Sequence, residues 1–242
     1  MTGTVVGYTF AGWAKLAGSD EIVYADGALV KNLATGVEGD ESITLYAVFK
    51  VNTYEVTIDA VGGTASVGKI TVTFDQTYGD ATTAVDAITA TKLGYHLVGW
   101  FTLENGGIQV TNETKVTANP YLTLYAHWEA NTYDITINPN NGTIDGNDVE
   151  YVIKNGIAFD GDYTMLNSLA KARKGYTFIG WTLEKNNKDT LVDTATKVSV
   201  TLKNNVEVPN ITKVYAYWEA NKIKVTLNGN GGTLSKIGRA HV

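Results

Sequence analysis

The sequence predicts an α+β, mostly-β chain cut into small tandem modules. Three observations carry this: one glycine–aromatic segment returns at a near-constant interval, apolar and polar residues alternate in the segments around it, and the composition suits pleated strands. The chain has 242 residues, 44% of them hydrophobic and 18% charged, with 14 Tyr, 5 Trp and only 3 Pro. Disorder needs low hydrophobicity and high net charge, and this chain has neither. Thr, Tyr, Val and Ile fit the half-buried surface of a strand.

The repeat comes first because it decides the architecture. Gly7-Tyr8-Thr9-Phe10-Ala11-Gly12-Trp13 returns as Gly94-Tyr95-His96-Leu97-Val98-Gly99-Trp100 and as Gly175-Tyr176-Thr177-Phe178-Ile179-Gly180-Trp181, so the tryptophans stand 87 and 81 residues apart. A second block reads Leu45-Tyr46-Ala47-Val48-Phe49, Leu124-Tyr125-Ala126-His127-Trp128 and Val214-Tyr215-Ala216-Tyr217-Trp218. A third opens at Asn52, Asn131 and Asn221, for example Asn131-Thr132-Tyr133-Asp134-Ile135-Thr136-Ile137. Three blocks in one order set the cuts: residues 1–50 a partial repeat (its C-terminal part), 51–129 and 130–219 complete repeats, and 220–235 a partial repeat (an N-terminal hairpin). The joins, such as Trp128-Glu129-Ala130-Asn131, hold no Gly, Pro or Ser run. A flexible coil needs such a run, so beads or a rod with restricted bending is expected.

Within residues 51–129, Tyr54, Val56 and Ile58 alternate with Glu55, Thr57 and Asp59. This is the period of a half-buried strand. Gly62-Gly63-Thr64 permits a turn, and Ile70, Val72 and Phe74 then alternate with Thr71 and Thr73, so the pair reads as a hairpin. Leu122, Leu124, Ala126 and Trp128 face one way in a later strand, and the Gly94–Trp100 block is a strand entered from a tight turn. In residues 130–219, Met165, Leu166, Leu169 and Ala172 form a helical stripe. Asp162 or Thr164 is placed to cap it, Lys171, Arg173 and Lys174 fall in its last turn, and Gly175 stops it. Hairpin, short helix, then more strands is the order of a β-grasp module.

Several chemistries are excluded or weak. A net charge of −6 without a basic stripe excludes nucleic acid as a partner. The absence of Cys removes thiolate catalysis and Cys-ligated zinc. No run approaches the ~20 apolar residues of a membrane span, so no membrane insertion is expected of this segment. No Ser/His/Asp grouping or HExxH appears, so no catalytic residues are assigned and no enzyme is expected. Asp145-Gly146-Asn147-Asp148 and Asp160-Gly161-Asp162 miss the EF-hand spacing and read as turns, and His96 and His127 lack a second ligand. No cofactor or metal is expected. The five tryptophans read as core rather than sugar platforms, because each recurs at one position of a strand pattern.

These blocks resemble the InlB B-repeat family, also called Listeria–Bacteroides repeats, over residues 7–235. The residues that carry the resemblance are Gly7, Tyr8, Gly12 and Trp13, then Gly94, Tyr95, Gly99 and Trp100, then Gly175, Tyr176, Gly180 and Trp181, with Tyr125, Trp128, Tyr215 and Trp218 from the second block. His96-Leu97 in place of Thr-Phe, Phe49 in place of a closing Trp, and Ala90 where a Pro often stands depart from the pattern. The resemblance implies a ubiquitin-like β-grasp module, found in tandem in secreted or wall-attached bacterial proteins, with signal and anchor outside this segment. It also implies roles in spacing, adhesion and partner contact. Two readings follow: a stalk that projects another domain, or a module that holds a glycan or a host or cell-surface protein.

Residues 236–242 are expected to be adapter-derived rather than natural. Lys236-Ile237-Gly238-Arg239-Ala240-His241-Val242 is the in-frame translation of the sequencing-adapter DNA AAGATCGGAAGAGCACACGTC. Arg239 and His241 therefore receive no functional weight. Re-reading the source DNA checks this: genomic sequence running unbroken through those seven codons refutes it.

Overall fold

Alternation turns one face of each strand inward, and the faces that must be covered decide how the strands assemble. The computed structural model describes residues 4–30, 43–226, 228 and 230–232. The adapter-like residues 236–242 therefore lie outside the described residues, as does part of the 1–50 piece. The chain divides into two compact units, Met1–Asn131 and Thr132–Val242, both mostly β.

In the first unit β1 (Tyr8–Ala14) pairs antiparallel with β2 (Tyr46–Val51). Then come β3 (Thr53–Asp59), β4 (Thr64–Ala65), β5 (Lys69–Thr73), β6 (Ala90–Thr91), β7 (Tyr95–Phe101), β8 (Gln109–Val110) and β9 (Thr123–Ala130). Five of them form a sheet in the order β5-β3-β9-β7-β8, in which β3 and β9 run parallel and the other neighbours antiparallel. The register sets Val56 opposite Ile70, Ile58 beside Leu124 and Trp100 beside Ala126, so the inward faces coincide. These residues are buried, together with Val72, Tyr78, Val85, Ile88, Val110 and Val116. The small pair β4–β6 straps the turn after β3 to the segment before β7.

The second unit repeats the plan. Its elements are β10 (Thr132–Asn138), β11 (Thr143–Ile144), β12 (Tyr151–Ala158), α1 (Met165–Ser168), β13 (Lys171–Ala172), β14 (Tyr176–Thr182), β15 (Val200–Lys203), β16 (Val206–Pro209) and β17 (Lys213–Ala220). The sheet order is β12-β10-β17-β14, again with a parallel centre, β10 with β17. Ile135, Ile137, Ile157, Leu166, Trp181, Val214 and Ala216 fill its core. The β15–β16 hairpin is an addition of this unit, and it turns through Asn204 and Asn205 at φ 52° and 62°. Asn tolerates this left-handed backbone better than most residues.

The structure corrects three expectations. The helix of the second unit spans only Met165–Ser168, because Leu169 is already extended and Lys171-Ala172 pairs with Thr143-Ile144 as β13. Arg173 and Lys174 thus follow a strand rather than end a helix. Neither proposed cap acts as one: Thr164 makes no side-chain cap bond, and the Asp162 carboxylate accepts from the Thr164 N–H at 3.0 Å. Phe74 does not join the core behind Ile70 and Val72; it lies beyond the end of β5 and packs against Gly7 and Tyr8.

Each unit has its own core, so each is expected to fold alone. Residues 51–131 and 132–221, produced separately, should each melt in one cooperative transition by circular dichroism; a non-cooperative melt of either piece contradicts this.

Candidate functional site

The recurring residues assemble into three constellations. The first closes each unit. Trp128, near the end of β9, donates its indole N–H to the Ala60 carbonyl at 2.9 Å, and Trp218 of β17 donates to the Pro139 carbonyl at the same distance. Each ring covers the glycine of the opening turn. A β-carbon on Gly63 would stand 2.6 Å from Trp128 Cζ2, and one on Gly142 would stand 2.4 Å from Trp218 Cζ2. No other residue fits under the ring.

The second constellation sits one residue past a bulge. The pairing register shifts between Phe10 and Gly12, Leu97 and Gly99, and Phe178 and Gly180. The shift turns the next side chain into the core. Trp100 and Trp181 are 3% and 1% exposed and donate to the Ile88 and Leu166 carbonyls at 3.1 and 3.3 Å. Trp13 is half-buried and its backbone bonds with Tyr24 and Val23. Tyr125 and Tyr215 point the other way, between buried neighbours on their strands, and Lys213 Nζ stands 5.0 Å from the Tyr215 ring centre.

The third constellation lies at the joins. Gly7, Gly94 and Gly175 hold φ of 78°, 81° and 79°, the left-handed backbone that a tight turn demands and glycine takes without steric cost. Tyr8, Tyr95 and Tyr176 then enter the strand. The carbonyls of the three glycines accept from the backbone N–H of Asn52, Asn131 and Asn221, each at 2.9 Å. The asparagine side chains repeat the theme. Thr9 and Thr177 hydroxyls donate to Asn52 and Asn221 Oδ1 at 2.5 and 2.6 Å, and His96 Nδ1 lies 3.0 Å from Asn131 Oδ1. His96 therefore stands in the place of threonine in the clasp. Its other ring nitrogen, Nε2, stands 3.5 Å from the Glu129 carboxylate.

Sequence reasoning missed a fourth recurring residue. Tyr78 and Tyr163 are each fully buried, and their hydroxyls reach the Tyr121 carbonyl at 3.0 Å and Asn210 Oδ1 at 2.8 Å. The signal was present: Phe74-Asp75 and Phe159-Asp160 each precede the tyrosine by the same interval. Burial pushes the Tyr78 hydroxyl up to about 12 and raises that of Tyr163 as well.

The remaining candidates serve structure. Asp145 Oδ1 accepts from the Ala170 N–H at 2.6 Å, and Asp162 Oδ1 from Thr164. His127 stacks on Phe101 with ring centres 3.8 Å apart and meets the Leu103 carbonyl at 2.9 Å. Arg173 lies over the Tyr176 ring at 3.7 Å, and Lys171 Nζ donates to the Asn167 carbonyl. Among the described residues no group of three or more acidic, His or Cys side chains is placed to hold a metal ion. No helix among them is long and apolar enough to cross a membrane.

Fold and site together define a class: a tandem array of mostly-β modules whose recurring residues build cores and joins. The chain carries repeats of the Listeria-Bacteroides and InlB B-repeat kind. The model of the Listeria-Bacteroides repeat domain matches residues 54–127, and that of the Divergent InlB B-repeat domain matches residues 133–222. Among similar proteins is one of Evansella cellulosilytica named as a Gly-rich membrane protein, 29% identical over 94% of this chain and 24% of its own length. Internalin H of Listeria monocytogenes is 30% identical over 60% of this chain and 23% of its own length. The chain thus spans about a quarter of the length of the curated relatives it matches. No solved structure matches the chain.

Two predictions follow from these constellations. Trp218→Ala should destabilise the second unit by roughly 3–5 kcal/mol, and Gly142→Ala should lower its melting temperature too, since a methyl group there evicts the ring. An unchanged melting temperature for either contradicts the closing role. The tyrosines give a pH dependence. The unfolded chain releases the Tyr78 proton near the ordinary value of 10.0, while the folded unit keeps it to about 12. The unfolded state therefore binds fewer protons in that interval, and stability present below pH 10 is lost as pH rises toward 12. The double variant Tyr78→Phe/Tyr163→Phe should show a flatter fall of melting temperature there than the parent chain.

Proposed function

We propose that this chain is a non-enzymatic spacer segment of a secreted or surface-attached bacterial protein, built of β-grasp modules in tandem. The observation that carries the reading is the asparagine clasp, formed with the same 2.9 Å geometry at Gly7, Gly94 and Gly175. A spacer needs modules that end the same way each time, and a recognition module needs a surface that differs from its neighbours. What recurs in this chain is core and join, while added features such as the β15–β16 hairpin are confined to one unit. The β-grasp assignment is supported by the sheet order, in which the first and last long strands of each unit run parallel at the centre and a hairpin partner flanks the first. The relatives named as a membrane protein and as Internalin H support placement at the cell envelope.

The second reading, a module that binds a glycan or protein, has its best footing on the outer sheet face. There Phe101 and His127 stack beside Tyr125, which faces Phe101 across the β7–β9 register. Trp100, Trp181 and Trp218 give it little, since they are at most 8% exposed, while Trp13 and Trp128 are half-buried. Glycan-array and host-protein binding assays on the whole chain separate the two. The spacer reading expects no saturable ligand. A ligand whose binding is lost in Phe101→Ala, with the melting temperature kept, replaces it.

A further inference from the structure

We propose that the Gly-Tyr turn is a socket for a phenylalanine of the following repeat, and that the Gly175-Tyr176 copy, uncovered among the described residues, receives one from a further repeat. The occupied copy is seen at Gly7. Phe74 follows the second strand of the next repeat's opening hairpin, and its ring covers Gly7 so closely that a β-carbon there would stand 2.3 Å from three ring atoms. The Tyr8 ring meets the same phenylalanine edge-on, with centroids 5.7 Å apart. Asn52 ties the two pieces by backbone, donating to the Gly7 carbonyl while its own carbonyl accepts from the Phe74 N–H, both at 2.9 Å. Phe74 takes no part in the core of the repeat that carries it. The ring therefore serves the join.

At Gly175 the same left-handed turn, the same tyrosine and the same asparagine bond are present. A β-carbon on Gly175 meets nothing within 4 Å among the described residues. Tyr176 is 37% exposed, and Arg173 lies over its ring. The chemistry that fits is an aromatic ring presented beside a backbone N–H, as Phe74 presents it. The occupant is thus a further repeat of this kind. The inference does not depend on the spacer reading, because it is measured at the join itself, whatever the segment does in its parent protein.

Amide hydrogen exchange on the full chain tests it. In Phe74→Ala the amides of Asn52 and of Tyr8–Ala14 should exchange about tenfold faster, from the loss of one edge-on aromatic pair, while β3 and β9 keep their protection. Unchanged exchange at Asn52 overturns the socket. A uniform acceleration through Thr53–Ala130 overturns it as well, since it makes Phe74 part of its own repeat's stability. The glycines supply the second arm. Gly7→Ala and Gly175→Ala carry equal backbone strain, at φ 78° and 79°, yet only the first collides with a ring. Exchange at Asn52 should therefore respond about tenfold more to Gly7→Ala than exchange at Asn221 responds to Gly175→Ala. Equal responses mean that strain alone acts, and overturn the proposal.

Discussion

Each unit depends on a tryptophan lying over a glycine. Trp128 over Gly63 and Trp218 over Gly142 bring the last strand of the unit back to the turn that follows its first. The indole N–H fastens to that turn, and the ring shields it. Trp218 is buried and Trp128 half-buried, and a buried aromatic of this size removes on the order of 150–250 Å² from water. Surface ion pairs such as Lys69–Glu55, at 60% and 63% exposure, contribute ~0–1 kcal/mol each and do not compete. The two residue types recur together because neither works alone: the ring needs a site without a side chain, and the turn needs a cover.

Closure and joining are coupled through one short run of chain. Trp128 is followed by Glu129, Ala130 and then Asn131, and β9 continues through Ala130. Fixing the indole fixes the register of β9 on β7, where Tyr95 pairs with Ala130, and this delivers Asn131 to the Gly94 carbonyl. The same sequence of contacts runs from Trp218 to Asn221 and Gly175. A module that closes correctly thereby presents its own clasp.

What varies between the units is also informative. The helical turn α1 of the second unit corresponds to two 3-10 turns, Tyr78–Asp80 and Val85–Ala87, in the first. Both arrangements bury a tyrosine, and both offer a carbonyl to the tryptophan past the bulge. The backbone between these contacts is free to differ because only its end points carry load. The hairpin Val200–Pro209 is inserted on the same terms.

The repeat, the strands and the burial of Trp100, Trp181 and Trp218 were legible because they depend on period and identity, and both survive in a one-dimensional string, whereas Trp13 and Trp128 are only half-buried. Val56, Ile58, Leu124 and Ala126 alternate in sequence and are buried in the fold. The fate of Phe74 and the length of the helix were not legible. Phe74 continues the alternation of Ile70 and Val72, but its strand ends at Thr73, Asp75 takes a left-handed φ of 63°, and the ring turns to the neighbouring repeat. Lys171 and Ala172 continue a helical stripe, but the edge formed by Thr143 and Ile144 offers them backbone bonds that a four-residue helix cannot match. Local period thus determined which residues would be strand and core by themselves. Competition among partners distant in sequence decided the rest, because a strand edge or an open glycine exerts its pull only once the chain has brought it near.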